Sequence, residues 1–302
     1  MADPRIDPVR PNNNGATPLF GACQKGHKEV VSLLLADPRI DPNKQLSDGT
    51  TLFFIACVNG HSEIVSLLLA NPRLEPDRQM SDGGTPFYAA CQNGRKQVVS
   101  LLLADPRIDP GQPKKEGSTP FYAACYHGHE EVVSLLLADP RTDFDSPTCT
   151  GASSFFMACQ NGHMEVVSLL LADSRIDPNK PTDKGTTPFF VACQKGHKGV
   201  VSLLLADPRI DPDQSNSDRV TPFFVACQEG SMKMASLLLA DPRIDPNKPN
   251  KNEATPFYVA YLKGNKELVS LLVADPRIDL VRPMNDQILP CGLPRRTLTL
   301  WL

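Results

Sequence analysis

A period of 34 residues is the feature of this sequence that most restricts its fold. Corresponding segments open, without insertion or deletion, at Thr17-Pro18, Thr51-Leu52, Thr85-Pro86, Thr119-Pro120, Ser153-Ser154, Thr187-Pro188, Thr221-Pro222 and Thr255-Pro256. The block from Val30 to Pro42 returns at the same spacing. A fixed period of this length is typical of a solenoid, in which each repeat packs only on its neighbours. We therefore predict one continuous array over residues 1–280 and a non-repeating tail over residues 281–302.

Local signals within one period predict two short helices and a loop. Thr17 can cap a first helix, Pro18 suits its first position, and Gly26 can adopt the left-handed conformation that ends it. A second helix is predicted over about residues 27–36. It is apolar on nearly every side, so we expect it to be buried against its partner helix and the neighbouring repeats. The Asp-Pro dipeptide that follows ends this helix and starts a projecting, hairpin-like loop.

The repeated segments resemble the ankyrin repeat family over about residues 2–280. The resemblance rests on Thr17-Pro18-Leu19-Phe20-Gly21-Ala22, on Gly26-His27 and on Glu29-Val30-Val31-Ser32-Leu33-Leu34-Leu35, and it recurs in eight copies. Tetratricopeptide repeats share the 34-residue period, but their Trp/Leu/Gly/Tyr pattern is absent here. The resemblance implies a mainly α, ankyrin-type helical solenoid of eight helix pairs with projecting hairpin loops. The pairs should start near residues 17, 51, 85, 119, 153, 187, 221 and 255.

Two regular departures separate these repeats from the family pattern. An aromatic residue replaces the histidine of the family pattern, so the hydrogen bond that this histidine usually makes with threonine is lost. The aromatic residues are Phe20, Phe54, Tyr88, Tyr122, Phe156, Phe190, Phe224 and Tyr258. One residue is also added where the family turns through Ala-Gly, and Asp-Pro-Arg stands there instead. We expect the fold to tolerate both changes, with an altered curvature of the stack.

Composition and charge restrict the class of partner. A hydrophobic fraction of 41% is sufficient for a packed interior, and a formal charge of −3 argues against a nucleic acid partner. The sequence shows no leader pattern and no apolar run long enough to cross a bilayer. We therefore predict a cytoplasmic protein that binds neither nucleic acid nor membrane.

The cysteines and histidines of the repeats are the strongest candidates for chemistry. Seven of the nine cysteines share one register: Cys23, Cys57, Cys91, Cys125, Cys159, Cys193 and Cys227. Five of them are followed four residues later by histidine, at His27, His61, His129, His163 and His197, a spacing that could begin a zinc site or a thiol–base pair. The predicted helix ends between the two residues, and no second pair of ligands converges on them. We therefore predict small packed thiols, loop histidines bonded to nearby backbone, and a non-enzymatic protein without metal, cofactor or catalytic residues.

The repeated Asp-Pro-Arg segment suggests two readings for its arginines. They could form a cationic stripe, or each could pair with nearby acids such as those at positions 37 and 41 around Arg39. We favour self-paired, solvent-exposed arginines, which contribute little stability.

Variation between copies locates the candidate binding surface. Most first helices end in a small polar pair, as in Gln92-Asn93 and Gln160-Asn161, whereas the fourth ends in Tyr126-His127. The loop that follows carries Phe144 in place of proline and Cys149 near its tip. Exposed aromatic side chains often anchor protein interfaces, although Phe144 could instead pack inward. We predict a scaffold that binds a partner protein through its concave face and hairpin tips, centred on Tyr126, His127, Phe144 and Cys149 with the two flanking polar pairs.

The two ends of the sequence leave further alternatives open. The first helix pair has the same apolar residues as the interior copies and no polar outer face, which suggests self-association through an uncapped N-terminal end or a fragment of a larger ankyrin protein. The tail contains Trp301 and several leucines among prolines. It is either a frayed end, a cover for the last repeat, or the recruiting segment of an adaptor that targets substrates.

Overall fold

A computed structural model describes residues 10–12, 16–144, 146 and 148–280. Sixteen helices lie in this part of the chain, in pairs that repeat every 34 residues, which confirms the predicted mainly helical repeat architecture. The chain divides into two compact units between Asp183 and Lys184. The predicted tail over residues 281–302 lies outside the described residues.

The first unit contains ten helices. Its first helices are α1 (Pro18–Lys25), α3 (Leu52–Asn59), α5 (Pro86–Gln92), α7 (Pro120–His127) and α9 (Ser154–Asn161). Its second helices are α2 (Lys28–Leu35), α4 (Ser62–Leu69), α6 (Lys96–Leu103), α8 (Glu130–Ala138) and α10 (Met164–Ala172). The second unit contains three first helices, α11 (Pro188–Lys195), α13 (Pro222–Gln228) and α15 (Pro256–Lys263), and three second helices, α12 (Lys198–Ala206), α14 (Met232–Leu239) and α16 (Lys266–Ala274).

Caps fix both ends of each first helix, as the sequence predicts. In α1 the hydroxyl of Thr17 accepts the backbone N–H of Phe20, at 3.3 Å from oxygen to nitrogen, and Pro18 takes the first helical position. Gly26 then adopts a φ of 80°, and its N–H bonds the carbonyl of Ala22. This left-handed conformation is accessible to glycine without strain, so it ends the helix within eight residues.

Within each unit, first helices pack on first helices and second helices on second helices. The contacts between first helices are the more extensive, because small side chains such as Ala56, Cys57, Ala90 and Cys91 are fully buried between them. The largest fully buried side chains come from one register of the first helices, namely Phe53, Phe87, Phe121, Phe155, Phe189 and Phe223.

The second helices are less completely buried than their sequence predicts. In α4 the central Leu68 is fully buried, whereas Leu67 and Leu69 on either side are half-buried. Only one side of the helix contacts α3, and the neighbouring second helices cover its flanks in part. The apolar run of α4 therefore contributes one central leucine to the core and leaves two at the rim.

The loops between repeats close as short hairpins. In the loop before α3, Leu46 N–H bonds Thr50 C=O at 2.9 Å from nitrogen to oxygen, and a turn at Gly49 has a φ of 87°. The later loops keep this closure even where the turn residue is not glycine, since Arg219 and Glu253 adopt φ values of 58° and 59°. The predicted hairpin-like loops are thus confirmed.

Candidate functional site

Three loop histidines of the first unit each join their repeat to the one before it. His61 Nε2 lies 3.1 Å from the carbonyl oxygen of Gln24 near the end of α1, so the imidazole N–H donates to a backbone acceptor 37 residues earlier. The ring also covers Gly26, where an added Cβ would lie 2.8 Å from His61 Cε1. His129 and His163 make the same contact, to Gln92 O at 2.9 Å and to Tyr126 O at 2.8 Å. These three histidines are therefore bonded to backbone, as predicted, and the structure adds that the backbone belongs to the preceding repeat.

The register cysteines are packed thiols. All seven are buried, and burial raises their pKa, to about 12 for Cys23 and Cys227. A thiol with a pKa this high stays protonated at neutral pH and is a poor nucleophile and a poor metal ligand. Among the described residues, no group of three His, Cys, Asp or Glu side chains is placed to hold a metal ion.

The arginines of the Asp-Pro-Arg segments are paired, as predicted, but they also make a contact that the sequence analysis missed. Arg141 Nη2 lies 2.7 Å from Asp139 Oδ2, and the same nitrogen donates to Leu103 O of the preceding repeat at 2.6 Å. Arg107, Arg175 and Arg243 repeat both bonds. Each guanidinium thus satisfies a carbonyl at the C-terminus of a second helix, where positive charge is favoured.

The aromatic end of α7 is exposed in the first unit. Tyr126 is 41% exposed, although it lies on an interior repeat, and its ring meets the His127 ring edge-on with 4.9 Å between centroids. His127 is also exposed and stacks at 6.0 Å on His129. Partial burial, together with the neighbouring His129 and His163, lowers the pKa of His127 below its usual range. At neutral pH the imidazole of His127 is therefore uncharged.

Tyr122, which was not among the predicted site residues, extends the aromatic cluster along α7. Its ring lies 6.3 Å from the Tyr126 ring, and its pKa is raised by burial and by the nearby Tyr126, Tyr88 and Cys149. Cys149 is an exposed, free thiol in the loop before α9. We call the aromatic cluster of Tyr122, Tyr126 and His127, together with Cys149, the repeat-4 patch. Every first helix carries an aromatic residue in the register of Tyr122, and this pattern in the sequence could have added Tyr122 to the predicted site residues.

Phe144, in the loop between α8 and α9, packs against the core. It is half-buried, and its ring meets Phe121 of the core edge-on at 6.1 Å. The guanidinium carbon of Arg175 lies 4.5 Å from the Phe144 ring centroid. These contacts place Phe144 between the fourth and fifth repeats, which is the inward packing that the sequence left open.

The asparagines of the two flanking polar pairs donate hydrogen bonds to backbone carbonyl groups. Asn161 Nδ2 donates to Tyr126 O at 2.8 Å, so it fixes the end of α7. Asn93 Nδ2 bonds Ala89 O within its own helix, also at 2.8 Å. Gln92 and Gln160 are half-buried beside them. The structure thus brings all four residues to the ends of the first helices on either side of α7.

Comparison with known proteins agrees with the architecture. The family described as "Ankyrin repeats (3 copies)" matches residues 4–79, 39–114, 73–148, 140–216 and 208–283. A search of curated proteins found no match. None of the helices in the described ranges is long and apolar enough to cross a membrane. Because the family matches nearly the whole repeat region, the chain belongs to the ankyrin repeat family.

Proposed function

We propose that this ankyrin repeat protein is a scaffold that binds a partner protein through the repeat-4 patch and the adjoining hairpin tips. The observation that carries the proposal is the exposure of Tyr126 and His127 at a position where most other first helices carry polar residues. Ankyrin repeats are in general modules for protein–protein interaction, and tyrosine buries a large area at an interface with little loss of conformational entropy.

The surroundings of the patch favour an uncharged recognition surface. His127 is neutral at physiological pH, and Tyr122 and Tyr126 offer hydroxyl groups at the edge of apolar rings. Asn161 holds the carbonyl of Tyr126, so the end of α7 is ordered before a partner arrives. Phe144 packs on Phe121 of α7, and Arg175 covers its ring, so the loop after α8 is held against the helix that carries Tyr126 and His127. Preorganised aromatic side chains of this kind lose little entropy on binding.

The test compares baits that differ only at the patch. Tyr126→Gln together with His127→Asn restores the Gln-Asn pair of the neighbouring repeats and leaves the core unchanged. Proteins captured by the intact chain should be depleted from this bait and retained by a Gln194→Ala bait, with quantification by mass spectrometry. For a purified partner, alanine at Tyr126 or His127 should weaken binding by more than about 1 kcal/mol each. Equal capture by all three baits would exclude the patch.

Phe144 provides a further control because it is half-buried against Phe121 of α7. Phe144→Ala should lower the unfolding temperature of the chain as well as weaken capture, whereas the Gln-Asn variant should weaken capture alone. The adaptor alternative depends on residues 281–302, which lie outside the described residues. Free buried thiols are consistent with the cytoplasmic location that we propose for this scaffold.

A further inference from the structure

The N-terminal side of the first repeat exposes apolar residues that interior repeats bury. Val30 and Leu33 of α2 are 45% and 75% exposed, whereas Ile64, the counterpart of Val30 in α4, is 1% exposed. Leu34 is half-buried, whereas its counterpart Leu68 is fully buried. In the first unit, this face of α4 is covered by α2. The corresponding face of α2 therefore has the shape and chemistry of one half of a repeat joint.

The last helix pair of the second unit exposes apolar residues on the opposite side. Tyr261 and Leu262 of α15 are 49% and 55% exposed. They replace the cysteine and glutamine of the interior repeats, and Cys227, the counterpart of Tyr261, is fully buried. The apolar character increases at this end because Leu262 takes a position that is otherwise mostly polar.

The two end faces carry opposite charges at the positions that form ion pairs between some interior repeats. Lys28 Nζ at the start of one second helix lies 2.8 Å from Glu63 Oε1 in the next, and Lys96 Nζ lies 2.7 Å from Glu131 Oε1. The final second helix begins with Lys266, and the initial one carries Glu29 at the position of the glutamates. Neither Lys266 nor Glu29 forms an ion pair within the described part of the chain. Each end thus carries one half of this pair.

The two halves of the histidine contact between adjacent repeats also lie at opposite ends of the array. In the interior, His61 bonds Gln24 O and covers Gly26. At the last helix pair the counterpart of that glycine, Gly264, has a φ of 69°, and no described residue lies within 4 Å of an added Cβ. At the first helix pair the imidazole of His27, the counterpart of His61, has no hydrogen-bond partner among the described residues. A second chain that brought His27 over Gly264 would place the imidazole near Leu262 O.

We propose that this chain associates head to tail, with the N-terminal face of one copy (Val30, Leu33, Leu34) docked on the C-terminal face of another (Tyr261, Leu262). The contact reproduces an interior repeat joint, with Lys266 of one copy facing Glu29 of the next and His27 covering Gly264. An interface between two different faces is heterologous, so it extends into chains unless rotation closes it into a ring. The partner at this surface is a second copy of the same protein, whereas the repeat-4 patch lies on an interior repeat and serves another protein.

The first experiment measures mass against concentration for the full chain by light scattering and sedimentation. Intact protein should show a mass that rises with concentration. Leu33→Glu, which changes a largely exposed side chain, should raise the concentration needed for association by more than about tenfold. Met164→Glu, at an exposed methionine on an interior second helix, is the matched control and should associate as the intact chain does. A constant monomer mass, or equal behaviour of the two variants, overturns the proposal.

A charge exchange tests the register. Glu29→Lys alone places two lysines together at the joint, and Lys266→Glu alone places two glutamates together, so each variant should associate more weakly at low salt. An equimolar mixture of the two variants pairs lysine with glutamate at every joint and should recover association. A mixture that is no stronger than its separate components contradicts this contact.

Discussion

At the scale of single residues, one loop position determines how well adjacent hairpins fit. Asn43 Nδ2 donates to Arg73 O at 2.7 Å, and its Oδ1 accepts Glu75 N–H at 2.9 Å. Asn247 makes the same two bonds to the last hairpin. The backbone of the next loop offers one acceptor and one donor, which an amide side chain matches with both of its atoms.

Aspartate occupies this position in three other loops, as Asp77, Asp145 and Asp213. Asp77 and Asp213 lie among the described residues, and each leaves one carboxylate oxygen without a partner. Asp77 Oδ2 accepts Asp109 N–H at 3.2 Å, but its Oδ1 is buried without a hydrogen-bond partner. Asp213 Oδ1 is also buried without a partner, although the other carboxylate oxygen lies 2.5 Å from Lys248 Nζ. Burial raises the pKa of both carboxyl groups. The two aspartates therefore weaken the joints that contain them.

Asp77→Asn should stabilise the chain by about 1–2 kcal/mol at pH 7, because the amide supplies the missing donor. The pKa of Asp77 is raised in the folded state, so the native carboxyl gains its proton first as the pH falls. The advantage of asparagine should therefore shrink as the pH approaches about 4. Urea unfolding at the two pH values measures this. Asn43→Asp, the reverse change, should destabilise at pH 7, and a gain that is independent of pH would contradict the assignment.

Thr142 is a polar residue at a position that is isoleucine in most other repeats. Its hydroxyl is buried without a partner, where the other repeats place Ile108, Ile176 and Ile210. Thr142→Ile should raise the free energy of unfolding by about 1–2 kcal/mol, because it removes an unpaired hydroxyl and adds apolar contact. Ile108→Thr is the matched control and should lower it. A lower unfolding midpoint for Thr142→Ile would mean that the site cannot hold the larger side chain.

At the scale of elements, no helix in the described ranges is long enough to be stable by itself. The helices of the described residues have seven to nine residues, below the length at which isolated helices form in water. Caps set their ends, and the packing of neighbouring repeats supplies their stability. The arginines add to this, because each guanidinium bonds the last carbonyls of the preceding second helix.

Leu68→Ala tests the dependence of α4 on packing. The side chain is fully buried, so its loss should lower the free energy of unfolding by about 2–5 kcal/mol through lost transfer energy and a cavity. Lys44 is exposed on a loop, and Lys44→Ala should change stability by less than about 0.5 kcal/mol. Denaturant unfolding of both variants gives the comparison. Equal shifts for the two would mean that the buried register is misassigned.

At the scale of the whole molecule, one acid–base feature recurs in both units. An aspartate follows each of seven second helices, and the arginine two residues after it donates hydrogen bonds to its carboxylate. This bond lowers the pKa of the carboxyl group, to about 2 for Asp37 and Asp173. The pKa is also lowered in Asp105, Asp139, Asp207, Asp241 and Asp275. A folded pKa below the unfolded value contributes stability above the unfolded pKa and loses it as the pH falls.

We therefore expect acid to destabilise the chain between about pH 4, the unfolded value for aspartate, and pH 2. Asp77 and Asp213 oppose this trend, but they are two groups against seven. Melting temperatures recorded by circular dichroism across this range measure the effect, and the decline should be shallower for Asp139→Asn. A melting temperature that rises below pH 4 would show that the aspartate–arginine pairs do not govern the acid response.

The sequence alone determined the features that depend on neighbours along the chain. The threonine cap, the proline at the first helical position and the left-handed glycine act within a few residues, and the period follows from their recurrence. The burial of Cys57 was predictable for the same reason, since its register is apolar in every copy.

Only the tertiary structure decided which contacts join one repeat to the next. His61 and Arg141 bond carbonyls 37 and 38 residues away, and no local pattern specifies these acceptors. It likewise placed Phe144 against Phe121 of the core and left Tyr126 exposed. Near-identical repeats have the same local preferences, so the differences between them arise from what each side chain meets across the joint.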